Sequence, residues 1–393
     1  MNSLVSRLLL VLGLVAAVHS DRALAEPKGK PVTIGAIYNL SGAQASLGQP
    51  SLNGSTLAVE QINAHGGLLG RRVELVAVDG RSDPARIAKE TKELVHIPQM
   101  SAITGLSDTN MVLAAAPITE KARMVFLTSG ATSPTVPLEF PKYYFMACFG
   151  DNTQAAAGAE YAFSTLGLET AYVLFDETTD YTVGLAKYFK ERYLQLGGEI
   201  VGEDTYAGGA TDFSAQIAKL KGLATPPTFV YVSSGPDDIG TLVKQLRDAG
   251  VEEPIFGGDG YDTPLLQQIA GAAANDVYFT THALFDPAQE TLRQKQFIDD
   301  YQARFGTPPE SSFAGLGYDA INLLAAAIKL AGSAKQKTIA DALEATEDFP
   351  GVTGTVSFAP GVHIPEKQVT VVHVTNGALT LAAILTPQEV PPP

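Results

Sequence analysis

Basic residues are scarce in this chain: 27 Lys and Arg stand against 42 Asp and Glu among 393 residues, a formal net charge of −15. That balance excludes partners held by clustered cations, nucleic acid and anionic membrane surfaces among them. Cysteine is scarcer still. The single Cys148 rules out an internal disulfide framework and a cysteine-rich zinc site. The six histidines show no i,i+4 pair and no HExxH, so no metal site is expected. There is no GxSxG elbow, no Walker A loop and no GxGxxG after the first strand-like run, so a serine hydrolase and a dinucleotide or nucleotide enzyme lack their signals. No catalytic residue, no enzymatic activity and no cofactor is expected. Beyond the first 25 residues no uninterrupted apolar run of about 18 residues occurs, so no membrane span is expected there.

What is present is an apolar fraction of 45%, which is that of a folded chain with room for two or three domains. The chain opens on an address. Arg7 precedes an apolar run over 8–18, and Ala23-Leu24-Ala25 is a small-x-small cleavage signal. Residues 1–25 therefore read as a signal peptide cleaved after Ala25, and the remainder as an exported, soluble, still acidic protein. No Cys follows the run to serve as an acylation site. In an exported chain Cys148, inside the apolar stretch Tyr143 to Phe149, reads as a buried thiol in preference to an intermolecular link.

Strand-like and helix-like runs alternate through the rest. Runs at 32–38, 73–78, 101–104 and 124–128 are strand-like, and helical spacing fills the gaps at 52–62, from Pro84 onward, and at 111–122. The pattern restarts after residue 150, with strands at 171–175, 199–201, 229–232, 255–256 and 277–280 between helices. Near the end, 369–374 and 379–384 read as antiparallel strands around Asn376-Gly377. Two βα series predict an α/β fold of two doubly wound parallel-sheet lobes. No flexible linker separates them, which suggests a hinge, with the ligand in the cleft at the carboxyl ends of the strands. The aspartates after strands, Asp176, Asp180, Asp237 and Asp238, read as loop or helix-cap residues.

The residues at these strand ends resemble a known family. The segments Ile34-Gly35 through Leu40-Ser41-Gly42, Gly48-Gln49, Ala58-Val59-Glu60-Gln61-Ile62-Asn63-Ala64-His65-Gly66-Gly67, Asp83-Pro84, Thr128-Ser129-Gly130-Ala131-Thr132-Ser133-Pro134, Asp180-Tyr181 with Gly184, Gly257-Gly258-Asp259-Gly260-Tyr261 and Tyr318-Asp319-Ala320 share their order and spacing with the type I periplasmic solute-binding proteins of ABC importers. The closer resemblance is to the branched-chain (leucine/isoleucine/valine) amino-acid binding group. It covers residues 31–390.

This resemblance implies two lobes joined by three hinge crossings, near 147–150, 278–281 and 354–357. Lobe 1 would be 26–148 plus 280–355, and lobe 2 would be 149–279 plus 356–393. It implies a periplasmic, monomeric protein that delivers an amino acid or close analogue to an ABC permease in the inner membrane. It also assigns residues. Ser107 or Thr109 would hold the ligand carboxylate. Gly130 would offer its carbonyl to the ligand ammonium, Ala131 would let the backbone approach, and Thr132 would offer its hydroxyl and N–H. Tyr181 would close over the ligand and Asp259 would pair with the ammonium. Leu47, Gly235 and Phe313 would line the side-chain pocket. Two positions depart from the leucine-type pattern. Leu47 and the Ser233-Ser234-Gly235 loop stand where aromatics are usual, which enlarges the pocket and leaves open an aromatic or keto carboxylate without an ammonium group. Asp108 would repel a ligand carboxylate, so it either points away or marks a different ligand. A ligand-sensing receptor domain on the same fold is the remaining alternative.

Overall fold

A computed structural model describes residues 27–286 and 291–393. The leader and its cleavage site after Ala25 lie outside the described residues. The first sheet holds β1 (Val32–Tyr38), β2 (Val73–Asp79), β3 (Met100–Gly105), β4 (Phe126–Thr128) and β5 (Tyr144–Met146), all parallel in the order β2-β1-β3-β4-β5. Every residue of β1 and β3 is buried, as expected of central parallel strands covered on both faces. The helices α1 (Ala45–Ala64), α2 (Pro84–Leu94), α3 (Thr109–Ala122) and the short α4 (Val136–Glu139) connect these strands. Asp83 caps α2 by accepting from the N–H groups of Ala85 and Arg86, with Pro84 in the first turn where its missing N–H costs nothing.

The chain then builds a second sheet. Its elements are α5 (Asp151–Glu160), β6 (Thr170–Asp176), α6 (Asp180–Gln195), β7 (Glu199–Tyr206), α7 (Ser214–Lys221), β8 (Phe229–Ser233), α8 (Ile239–Asp248), β9 (Ile255–Gly257), α9 (Pro264–Ala270) and β10 (Val277–Thr281). It next returns to the first lobe with α10 (Leu292–Phe305), α11 (Ser312–Ala331), α12 (Gln336–Glu344) and a small hairpin, β11 (Phe349–Gly351) with β12 (Gly354–Val356). It ends in the second lobe with β13 (Val369–Thr375) and β14 (Ala378–Leu385). The second sheet runs β14-β13-β10-β9-β8-β6-β7. Its β6 to β10 are parallel, whereas β13 and β14 are an antiparallel edge. Asn376 and Gly377, both at positive φ, form the two-residue turn that β13-β14 requires. The architecture is α/β in two lobes, as the alternation predicts, with one sheet mixed at its edge. The short β5, α9 and α12 escape sequence reading because each is too brief or too weakly periodic to stand out.

Each sheet is covered on both faces. In the first lobe α1, α11 and α12 bury Ala58, Ile62, Ile321, Leu324 and Leu343 against one face, and α2 and α3 bury Ile87, Leu94, Val112 and Ala115 against the other. The apolar α11 is long enough to span a membrane by composition alone, yet most of it is buried in this core. Glycine and serine bring α1 and α11 into backbone contact. Ser51 Oγ donates to the Phe313 carbonyl at 3.1 Å, and Ser55 Oγ to the Gly317 carbonyl at 2.9 Å.

The chain passes between the sheets three times: after β5, after β10 and before β13. The third passage falls later than 354–357. Phe358 packs edge-on to Phe145 of β5, and His363 stacks on the same ring at 3.8 Å and accepts the Met146 N–H at its carbonyl. Aromatic packing therefore holds the chain against the first sheet to His363. Cys148, at the first passage, is fully buried with its thiol on the Ala131 carbonyl, and burial pushes its pKa far up.

Candidate functional site

Parallel sheets direct their functional loops to the carboxyl ends of the strands. In both lobes those ends face one another across a cavity of about 290 Å³. From the first lobe come Gln44 and Leu47 at the start of α1, Ser107 and Asp108 after β3, Met111 of α3 and Phe313 of α11. From the second come Asp176 at the end of β6, Thr178, Thr179 and Tyr181 leading into α6, the loop 235–238 after β8, and Asp259 and Gly260 after β9. Gly105 ends β3 at φ +125, and a Cβ there would lie 1.9 Å from the Ile37 carbonyl oxygen. Only glycine permits the chain to turn there and deliver Ser107 to the wall. Asn110 Oδ1, on α3, accepts the Asp180 N–H of α6 at 2.9 Å, so the lobes touch beside the cavity.

Six of the residues named from sequence meet in this wall: Leu47, Ser107, Tyr181, Gly235, Asp259 and Phe313. Four stand behind it. Thr109 is buried in the first turn of α3. Gly130 is absent from the lining, and a Cβ added to it would lie 2.9 Å from the Phe313 ring and 3.1 Å from the Ser107 hydroxyl, both wall residues. The Ala131 carbonyl accepts from the Cys148 thiol and the Thr132 carbonyl from the Asp151 N–H, so both carbonyls face the first crossing. Wall residues that no sequence expectation names as ligand-binding include Gln44, Ser82, Met111, Thr178 and Thr179, along with Asp176, Asp237 and Asp238, whose position in loops gives them a structural reading. Position at strand ends was the available signal. Asp176 and Asp238 do structure their loops, accepting from Gly208 N and Gly209 N, while also facing the cavity.

Asp259 is the centre of a buried network. Its Oδ1 accepts from Gln154 Nε2 at 2.9 Å and from the Tyr181 hydroxyl at 2.8 Å, and its Oδ2 lies 3.2 Å from His282 Nε2. Burial lowers the pKa of His282, so the neutral ring donates from Nε2; its Nδ1 has no partner, and its face stacks on Phe149 at 3.9 Å. An ionised carboxylate has about four acceptor positions, and three are filled. One remains on Oδ2. Gln154 Nε2 also donates to Asp151 Oδ1, which brings two buried carboxyls onto one amide.

The remaining acids show the cost of this arrangement. Burial, then repulsion from Asp259, pushes Asp151 up to about 8. Burial pushes Asp108 up to about 6, with Asp180 and Asp237 adding repulsion, and burial and Asp237 do the same for Asp238, also to about 6. An acid whose folded pKa is raised keeps its proton when the unfolded chain has lost it. The stability linked to that proton is fully present below about pH 4 and lost as pH rises through the folded pKa. Ligand-free protein is thus expected to lose stability between pH 4 and 8. Asp108→Asn is expected to raise the unfolding free energy at pH 7 by up to about 3 kcal/mol, at about 1.4 kcal/mol for each of roughly two pKa units, and to leave pH 4 little changed. Urea titrations of both proteins at the two pH values check this, and a variant less stable at pH 7 would sink it.

Among the described residues no group of three or more His, Cys, Asp or Glu is placed to hold a metal ion. Two α/β lobes, three crossings and a cavity between facing strand ends define a hinged solute-binding protein. The family model for periplasmic binding proteins matches residues 31–378, and the chain belongs to that family, whose members bind solutes and are not enzymes. The branched-chain amino-acid transporter substrate-binding protein LivJ of Streptococcus pneumoniae, solved with isoleucine, is 32% identical with a TM-score of 0.85, and the match covers 91% of this chain and 100% of that one. The Leu/Ile/Val-binding protein homolog 3 of Brucella melitensis is 27% identical over 350 residues, 88% of this chain and 90% of the relative. A solute-binding protein of an R. palustris ABC transporter, solved with benzoate, shares the fold at 21% identity and a TM-score of 0.80, covering 91% of this chain and 97% of that one.

Proposed function

We propose that this chain is the exported, periplasmic substrate-binding component of an ABC importer and that it takes an α-amino acid into the interlobe cavity. One observation carries the reading of the ligand: the wall presents Asp259 with a free acceptor position and, among the described residues, no Lys, Arg or His. An ammonium group there completes a carboxylate in a place shielded from water, where a charge-assisted bond is strong. A carboxylate without an ammonium group would meet acids and no cation. Ser107, whose Oγ is shielded and without a partner, is the donor offered to the amino-acid carboxylate, with Tyr181 and Phe313 closing over the side chain.

The lobes close because the ligand touches both, and the closed monomer, its leader removed after Ala25, hands the ligand to the permease. A thermal-shift and calorimetric screen of the mature protein tests the ligand class. Amino acids are expected to raise the melting temperature, and benzoate and 4-hydroxybenzoate to leave it in place. Stabilisation by the aromatic acids and by no amino acid would overturn the reading.

A further inference from the structure

The cavity wall is one-sided in charge: Asp108 enters from the first lobe, and Asp176, Asp237, Asp238 and Asp259 from the second. Three of these are engaged by the protein. Asp259 serves the network with Gln154, Tyr181 and His282. Asp176 accepts from Thr178 and Gly208, and Asp238 from Gly209. Asp237 is not so engaged. Among the described residues no hydrogen bond from another side chain or loop reaches its carboxylate, though it is partly buried in the wall. Asp108, almost fully buried, caps α3 through a long 3.2 Å bond from Met111 N–H. Gln44 Oε1 and Ser107 Oγ, in the same wall, are shielded from water without partners.

An amino acid with an apolar side chain would strip water from the half-buried Asp237, leave the buried Asp108 facing it without a new donor, and return nothing to either carboxylate. Repulsion already acts among these acids, since Asp237 disfavours the charge on Asp108 and on Asp238. A cation between them removes that repulsion and supplies the missing donors. A guanidinium has five N–H groups in a planar fork, and an ammonium has three.

We propose that the ligand is an α-amino acid whose side chain ends in a cation, received between Asp108 of the first lobe and Asp237 of the second. The proposal rests on the reading of the cavity as an amino-acid site. It gives Asp108, which caps α3 with one long bond, a second partner on the cavity side, and it gives closure a charge pair on each lobe.

The test is calorimetry on the mature protein with L-arginine, L-ornithine, L-leucine and L-citrulline, the last being the uncharged counterpart of arginine. Arginine or ornithine is expected to bind at least about tenfold more tightly than citrulline and leucine. Asp237→Asn is expected to shrink that preference about tenfold, with its thermal midpoint confirming that the variant is folded. If leucine or citrulline binds as tightly as the cationic pair, or if Asp237→Asn keeps the full preference, the cationic ligand is wrong while the amino-acid reading stands. If no α-amino acid binds, that reading falls and the proposal with it.

Discussion

Asp259→Ala is expected to weaken amino-acid binding by at least about tenfold, or 1.4 kcal/mol, and to destabilise the ligand-free protein by on the order of 3 kcal/mol. The two losses have different origins. Binding suffers because the acceptor for the ligand ammonium is gone. Folding suffers because Gln154 Nε2 and the Tyr181 hydroxyl lose a shared acceptor, and the buried N–H of His282 loses its only one. Stranding buried donors costs more than the original bonds contributed, because the groups cannot return to water. Asp259→Asn separates the effects. Its amide oxygen still serves Gln154 and Tyr181, and its NH2 can face His282 once that neutral ring moves its proton to Nδ1, where the buried N–H has no acceptor. The asparagine variant thus strands one buried donor where the alanine variant strands three, and it is expected to keep more of the stability while losing the affinity. Calorimetry and urea titration on both variants check this. An asparagine variant with undiminished amino-acid affinity would show that Asp259 is only structural.

Gly54→Ala is expected to destabilise the first lobe by on the order of 3 kcal/mol, against the usual trend. In an ordinary helix interior the same change stabilises by about 1 kcal/mol. Here the added Cβ would lie 1.9 Å from the Ala314 carbonyl oxygen, and the neighbouring atoms are backbone, which cannot rotate aside. The helices α1 and α11 must separate, which stretches the bonds from Ser51 and Ser55 and loosens the core between them. Leu47 rides on α1 and Phe313 on α11, so the cavity wall widens as well, and ligand affinity falls with stability. Gly184→Ala is the control. It is also helical, its Cβ would meet nothing nearer than 3.9 Å, and it is expected to hold or raise the denaturation midpoint. A Gly54→Ala protein as stable as the parent would refute the close-packing argument.

Much of the fold is legible in the sequence, because it is local. The buried run Val32–Tyr38, the Asp83-Pro84 start of α2 and the Asn376-Gly377 turn each follow from side-chain period, cap chemistry or positive φ over a few residues. The later third crossing was not legible, since it depends on Phe358 and His363 packing on Phe145, more than 200 residues away in sequence. The site divides in the same way. The loops that carry Ser107, Tyr181, Gly235 and Asp259 could be found at strand ends. That Gln154 and His282 converge on Asp259 could not, as they come from α5 and from the second crossing.

By itself, then, the sequence determined the class of the protein: an acidic α/β chain without catalytic signals, folded into two lobes with strand ends at the cleft. Periodicity and turn chemistry suffice for that, because they act between near neighbours. The tertiary structure decided what the cleft is made of. It placed Thr109, Gly130, Ala131 and Thr132 behind the wall, and it set Asp108 opposite the carboxylates of the second lobe. The reason is physical. Burial and charge repulsion across the cleft depend on distances between residues far apart in the chain, and only the closed packing of both lobes fixes those distances.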